Sequence, residues 1–328
     1  MERYELSHAI VSGQTALAQG AAKPEGLSLA IGFFDGVHLG HAEVVGRAVA
    51  LAKSRGLKPA VLTFDPHPRT ILGQDGYHTV LTPLEDKLAL LASLGMEVAY
   101  VVSFDHGFAE VSAERFVSEL LLPLGVRTAV VGFDFKFGHR GSGDAELLRS
   151  AGGGAIDVEV VEPVFRNGAK VSSTRIREML AEGKCDEAAQ LLGRPYAITG
   201  VVVHGDARGR LLGFPTANMK PDVPYVLPRH GVYAVTVHGV PGASEPQKGV
   251  INVGLRPTFD APGGLPKLET HLFDYEGDLY DRELTVRFRG FLRPETKFAS
   301  FDELKAQIGR DADEARAALS SVLADERG

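Results

Sequence analysis

The chain of 328 residues is long enough for two ordinary domains, each able to bury its own core. Its 44% hydrophobic and 23% charged residues exclude a disordered chain, and no run approaches the roughly 20 apolar residues of a bilayer span. A formal net charge of -7 gives no global basic field for a long nucleic acid, although local donors can still hold single anions.

In chain order, MERYELSHAIVSG mixes acids and bases and lacks an apolar core of signal-peptide length. Short apolar runs then alternate with helix-like segments up to about residue 182. LSLAI (27–31), PAVLTF (59–64), VAYVVSF (98–104), TAVVGF (128–133) and DVEVVEPV (157–164) read as strands. AEVVGRAVALAKSRG, PLEDKLALLASLG and AERFVSELLLPLG lie between them, with helical spacing of apolar residues and a glycine near each end. Thr82, Pro83 and Glu85 suggest a capping box with proline at the first helical position. Nearly all-apolar strands separated by helices predict a parallel sheet covered on both faces, a doubly wound α/β domain.

The texture changes after the connecting segment AEGKCDEAAQLLGRP (181–195), which reads as helical. YAITGVVVHG, GVYAVTVHG, KGVINVG, KLETHLFDY and RELTVRF are strand-like and joined by Gly-, Pro- and Asp-rich loops. Strands in succession without crossover helices pair antiparallel, as a small barrel or a sandwich. A last helix opens with a capping box of Ser300 and Glu303, and Phe301, Leu304 and Ile308 share one face. Cys185 is the only cysteine, so no intramolecular disulfide or multi-cysteine metal site can form, and a reducing, cytoplasmic compartment is expected.

The stretch AIGFFDGVHLGHAEV (30–44) sets His38 and His41 at the junction of a strand, a glycine-containing turn and a helix. Such a junction aims backbone N–H groups and a helix dipole at an anion. Two histidines three apart share one face of the first turn, and Gly40 lets a phosphate approach the backbone. Incidental histidines and a metal pair remain open, although helical zinc pairs are spaced by four and no third ligand is near. VSSTRIREML (171–180) starts a second helical pattern with Ser172, Ser173, Thr174, Arg175 and Arg177. One serine would be a cap; three hydroxyls with two guanidinium groups suit a polyphosphate. Both segments follow strands of the same sheet, where ligands gather at the carboxyl ends, and there is no Walker-type loop.

These motifs resemble those of the bacterial bifunctional riboflavin kinase/FMN adenylyltransferase (FAD synthetase) family, over essentially the whole chain. Gly32, Phe34, Asp35, Gly36, His38, Gly40 and His41 fit its G-x-F-D-G-x-H-x-G-H pattern, and Ser172, Ser173, Thr174, Ile176 and Arg177 its S-S-T-x-I-R pattern. TFDPHP (63–68) and GFDFKFG (132–138) are similar to its flavin-side segments. GRLLGFPTAN (209–218), INVGLRPTF (251–259), LETHLFDY (268–275) and FLRPETKF (291–298) are similar to its kinase module.

The resemblance implies a Rossmann-like nucleotidyltransferase over 1–182 and a riboflavin kinase barrel with a C-terminal helix over 183–328. The first would join the adenylyl group of ATP to FMN. Gly32, Phe34, Asp35, Gly36, His38, Gly40, His41, Ser173, Thr174 and Arg177 would bind ATP there, with His38 and His41 catalytic. Phe64, Asp134 and Phe135 would face the flavin, while Phe64 and Phe135 equally suit plain core positions. In the kinase, Gly213, Pro215, Thr216 and Asn218 would bind ATP, with Thr216 and Asn218 also holding Mg²⁺. Gly213, Pro215 and Asn218 are ordinary turn residues on the pattern alone. Glu269 would be the base for the riboflavin hydroxyl; strand alternation puts it opposite Leu268, Thr270 and Leu272, where a surface glutamate is the plainer reading. HGDARGR (204–210) is either a Gly-rich loop over the nucleotide or a polar hairpin connection. Asp281 stands where the family has a glycine, which points to an altered turn. Riboflavin, FMN and ATP are the implied partners, with no nucleic acid or membrane; self-association is left open.

Overall fold

The computed structural model describes residues 1–325 apart from 15–16, 18–19, 24, 75, 206–212 and 257–264. The chain divides into two compact units, Met1–Ser173 and Thr174–Gly328. This division falls at the start of the helix Ser173–Glu182, whereas the boundary expected after residue 182 lies at its end.

The first unit is built on six strands: β1 (Glu2–Leu6), β2 (Leu27–Ile31), β3 (Lys58–Asp65), β4 (Val98–Ser103), β5 (Val126–Gly132) and β6 (Asp157–Val161). They form one parallel sheet in the order β1-β4-β3-β2-β5-β6. Alternate residues feed two cores. Leu27, Leu29, Ile31, Leu62 and Tyr100 pack on one face, and Ala30, Val61, Ala99, Val101 and Val130 on the other. Burial on both faces explains why the inner strands β2 to β5 are apolar at most positions. The edge strand β1, ERYEL, was not expected: only Leu6 is buried, and its exposed charges hide the strand signal.

The strand order reverses between β2 and β5, and ligands of open α/β sheets bind outside the carboxyl ends at such a switch point. Gly32–His38 emerges from the end of β2 and runs into the helix Leu39–Arg55, which stops at Gly56 with φ +64°. A second helix begins at Leu84 with Pro83 as its N-cap and no side-chain cap, one residue later than the Thr82 capping box would place it. The Thr82 backbone is instead taken up by Asp35. A small ribbon of β7 (Phe165–Arg166) and β8 (Ala169–Lys170) precedes the helix Ser173–Glu182.

The second unit holds the helix Cys185–Leu192 and then β9 (Ala197–Val203), β10 (Ala217–Lys220), β11 (Gly231–His238), β12 (Gln247–Arg256), β13 (Leu265–Leu272) and β14 (Glu283–Arg293). They close into an antiparallel barrel, β10-β13-β12-β11-β14-β9, which removes the sandwich alternative. Leu284, Val286 and Phe288 point inward, as the alternation in RELTVRF requires. The last helix, Phe301–Asp325, lays Ala312, Ala315 and Leu319 on Val232, Ala234, Val250 and Phe273. Its cap is close to the expected one: Ser300 Oγ accepts from Glu303 N at 3.2 Å, and Glu303 reaches back to Ala299 N at 3.0 Å. Phe301 does not join Leu304 and Ile308 on the inner face; it is 69% exposed.

Candidate active sites

The turn after β2 is held in an unusual backbone shape. Phe34, Gly36 and Val37 have φ of 58°, 90° and 40°, and only the glycine adopts such values without strain. The surroundings must over-determine it, and five hydrogen bonds do. Asp35 is buried, and its Oδ1 accepts from the backbone N–H of Leu81 at 2.8 Å and of Thr82 at 3.2 Å. Ser173 Oγ donates to the Asp35 carbonyl at 2.8 Å. The Phe33 carbonyl accepts from Thr63 Oγ1 at 2.9 Å and from Lys87 Nζ at 3.1 Å. The Phe34 ring folds back over Gly32, where a Cβ would come within 3.0–3.2 Å of it.

His38 caps the helix Leu39–Arg55. Its Nδ1 accepts from His41 N–H at 3.2 Å, so the ring is neutral and carries its proton on Nε2, as a hydrogen-bond donor. The His41 ring stacks on it with centroids 3.5 Å apart and 14° between planes. Gly40 serves this stack as much as any ligand, because a Cβ there would sit 3.2–3.3 Å from the His38 ring. The turn therefore gathers imidazoles and a helix N-terminus at the switch point, an arrangement able to donate to several phosphate oxygens.

Of the flavin-side residues, Phe64 and Phe135 belong to one aromatic cluster. Phe64 meets Phe104 and Phe108 edge-on at 5.9 and 6.3 Å, and Phe135 stacks on Phe137 at 5.3 Å. Both are partly buried against the core, so each has one side in the hydrophobic interior. Asp134 is exposed and pairs with Lys170 at 3.3 Å. Thr174 and Arg177 sit on the helix that starts at Ser173, the first exposed and the second half-buried.

In the barrel, a row of side chains crosses three strands. Asn218 of β10 and Asn252 of β12 both lie directly opposite Glu269 of β13. Leu268, Thr270 and Leu272 fill the core while Glu269 and His271 line a cavity of about 340 Å³, as period two demands. Glu269 pairs with Lys267, two residues back on the same strand face, at 2.9 Å. Asn252 Nδ2 donates to Glu295 Oε1 at 3.0 Å on the same cavity wall. The C-terminal helix closes the far side with Leu304, Ile308 and Asp311. Asp311, whose side chain is only 4% exposed, holds Arg293 through two contacts of 2.8 and 2.7 Å and also accepts from Gln307.

A second cavity of about 470 Å³ lies beside the first, lined by Pro215, Thr216, Tyr275 and Tyr280 among others. Thr216 lines both cavities. The Pro215 carbonyl accepts from His271 Nδ1 at 2.8 Å, which fixes the loop leading to Thr216. Burial holds the His271 pKa below the usual histidine value, against the opposing pull of that hydrogen bond. Gly213, with φ +85°, turns the chain into this loop. A Cβ at Gly205 would collide with the Asn218 amide, so the start of HGDARGR packs on Asn218; its remainder from residue 206 lies outside the described residues. Asp281 has φ +59°, which accounts for a glycine being expected there.

Lys87, Thr63 and the Arg293–Asp311 pair were not singled out from sequence. Only Lys87 left a trace: it occupies the apolar stripe of its helix with Leu88 and Leu91, where a lysine is out of place.

An α/β unit with an anion-directed turn at its switch point, followed by a barrel with a carboxylate in one of two adjoining cavities that share Thr216, defines a two-module enzyme of phosphoryl chemistry. A family model described as FAD synthetase matches residues 21–175, and one described as riboflavin kinase matches 192–319. The chain is 41% identical over 90% of its length, and 93% of the relative's, to the bifunctional riboflavin kinase/FMN adenylyltransferase of Listeria monocytogenes. The Bacillus subtilis and Escherichia coli proteins of that name are 42% and 43% identical, each over 88% of this chain and 90% and 92% of theirs. The chain belongs to the bifunctional riboflavin kinase/FMN adenylyltransferase family. A Streptococcus pneumoniae structure titled a macrolide-efflux protein superposes with a TM-score of 0.82 at 32% identity, covering 90% of this chain and 95% of that one. Among the described residues no helix is long and apolar enough to cross a membrane.

Proposed function

We propose that Glu269 and the His38–His41 pair carry the two reactions of this family, riboflavin to FMN in the barrel and FMN to FAD in the α/β unit. The observation that carries the first assignment is the position of Thr216 on both cavities, with Glu269 in one of them. Riboflavin fits the cavity that offers a carboxylate beside the apolar Val232, Val250, Leu304 and Ile308. ATP fits the adjoining one, with Tyr275 and Tyr280 for the base and Thr216 at the shared wall for the phosphates. Glu269 accepts the proton of the 5′-hydroxyl as its oxygen attacks the γ-phosphorus and ADP leaves. Lys267 holds the carboxylate in place through their ion pair.

Thr216 and Asn218 offer hard oxygens, and the described residues include no cluster of three acidic or histidine ligands. This donor set suits a magnesium ion that keeps nucleotide phosphate oxygens and water as its other ligands; when bound it neutralises phosphate charge.

FMN enters the second reaction as an anionic nucleophile, so that step needs alignment and charge stabilisation rather than a base. Its phosphate oxygen attacks the α-phosphorus of ATP and pyrophosphate leaves. The His38 Nε2–H, His41 and the first-turn N–H groups stabilise the growing charge, with Ser173, Thr174 and Arg177 holding the polyphosphate. Gly32, Phe34, Asp35, Gly36 and Gly40 shape the turn that presents these donors. Phe64, Phe135 and Asp134 border the flavin. Both reactions suit the cytoplasm, where ATP is plentiful and the buried Cys185 thiol stays reduced.

Incubation with riboflavin, ATP and magnesium, with flavins separated over time, tests the order. FMN is expected first and FAD after a lag; FAD without transient FMN contradicts the two-step reading.

A further inference from the structure

The helix Leu84–Ser93 touches the phosphate turn at two separate points. At its N-terminal approach, Leu81 and Thr82 donate backbone hydrogen bonds to Asp35. One turn into the helix, Lys87 reaches the same turn from inside the protein. Its side chain is 2% exposed, and its ammonium donates to the carbonyls of Phe33 at 3.1 Å and Phe64 at 3.4 Å. Phe33 lies just past the end of β2 in the chain leading to His38, and Phe64 lies near the end of the adjacent β3, within TFDPHP. The ammonium also lies 4.3 Å from the centroid of the Phe33 ring, whose other close ring partner is His67 at 3.9 Å.

A buried ammonium costs several kcal/mol in desolvation and persists only where something depends on it. What depends on it here is the strained turn, with Phe34 and Val37 at positive φ. Phe33 lies just before that turn, past the end of β2, and its carbonyl is fixed by both Lys87 and Thr63.

We infer that Lys87 is a positioning residue for adenylyl transfer, its ammonium clamping the His38 turn to the flavin-side segment at the ends of β2 and β3. This rests on the reading of the first unit as the FMN adenylyltransferase. The clamp is strongest when Lys87 is charged, because charge-assisted hydrogen bonds are roughly twice as strong as neutral ones. Burial pulls its pKa down to about 8, opposed by the negative charges of Asp35 in the turn and Asp65 at the end of β3. The protonated form is the competent one, so adenylyl transfer weakens as pH rises through that value. Phosphates binding at the turn favour the ammonium, so the loss occurs at higher pH in the ATP complex than in the free enzyme.

The test follows FAD formation from supplied FMN and ATP in the full chain, from about pH 6.5 to about pH 9.5. In the wild-type protein kcat/KM for ATP should fall through an alkaline limb near 8, with the limb of kcat displaced upward. Lys87→Met should lose the limb and run about tenfold below the wild-type plateau, while kcat for riboflavin phosphorylation is unchanged. Thr63→Val, which removes the other donor to Phe33 but keeps the ammonium, should be slower yet retain the limb. A limb shared by Lys87→Met, or lost in Thr63→Val, overturns the inference. Should Lys87→Met fail to fold, a wild-type profile flat across this range overturns it alone. A wild-type protein that makes no FAD at any pH instead brings down the adenylyltransferase reading on which the inference stands.

Discussion

In the α/β unit the side chains proposed to act ride on a turn bent through three positive φ values, whereas in the barrel Asn218, Glu269 and Asn252 sit on regular strands in direct register. The difference follows the chemistry proposed for each site. Adenylyl transfer uses a nucleophile that is already charged, so its site is a set of donors, and a turn with a helix N-terminus concentrates donors well. Phosphorylating an alcohol requires a base at a fixed distance from the phosphorus, and a strand fixes one side chain best. The first site is thus held by interactions around its backbone, and the second by the ladder that carries it. Substitutions should therefore disturb the first through its braces and the second through its walls.

The largest effect expected from a wall is at Asp311. Removing its carboxylate leaves Arg293 without its bidentate partner at the barrel–helix junction, so Asp311→Ala should destabilise the kinase unit by about 3 kcal/mol. Thermal unfolding followed in the full chain would show this unit melting earlier; an unchanged transition would mean that the helix is held by its alanine and leucine contacts alone. A smaller effect is expected at Gly205, where an added Cβ meets the Asn218 amide. Gly205→Ala should raise KM for ATP in riboflavin phosphorylation by about tenfold, about 1.4 kcal/mol, and leave FMN adenylylation untouched. The smallest belongs to Asp281. At φ +59° a glycine relieves strain but adds freedom to the unfolded chain, so Asp281→Gly should shift stability by less than about 1 kcal/mol, toward the glycine. A loss of activity there would instead give the aspartate carboxylate a role in the site.

Much of this architecture was readable from residue pattern because burial wrote it there. The inner strands of the parallel sheet are apolar on both faces, and Glu269 and His271 alternate with Leu268, Thr270 and Leu272, so their exposure to a cavity followed from period two. β1 escaped because an edge strand with charged residues carries little apolar signal. The braces escaped for a different reason. Lys87 to Phe33, Asp35 to Leu81 and Arg293 to Asp311 join residues far apart in sequence, and no local spacing encodes them. Gly40 showed a second kind of limit. A glycine beside histidines suggested room for a phosphate, while the structure adds the His38 ring as a neighbour that needs the space. Helix starts were legible to within a residue, as Pro83 and Ser300 illustrate.

The measurement that bears most directly on the division between the two sites is a crossed pair of variants assayed separately for each step. Glu269→Ala should abolish FMN formation from riboflavin and still convert supplied FMN to FAD. His41→Ala should do the reverse, accumulating FMN without FAD. Loss of both activities in either folded variant, or survival of riboflavin phosphorylation in Glu269→Ala, would contradict the account.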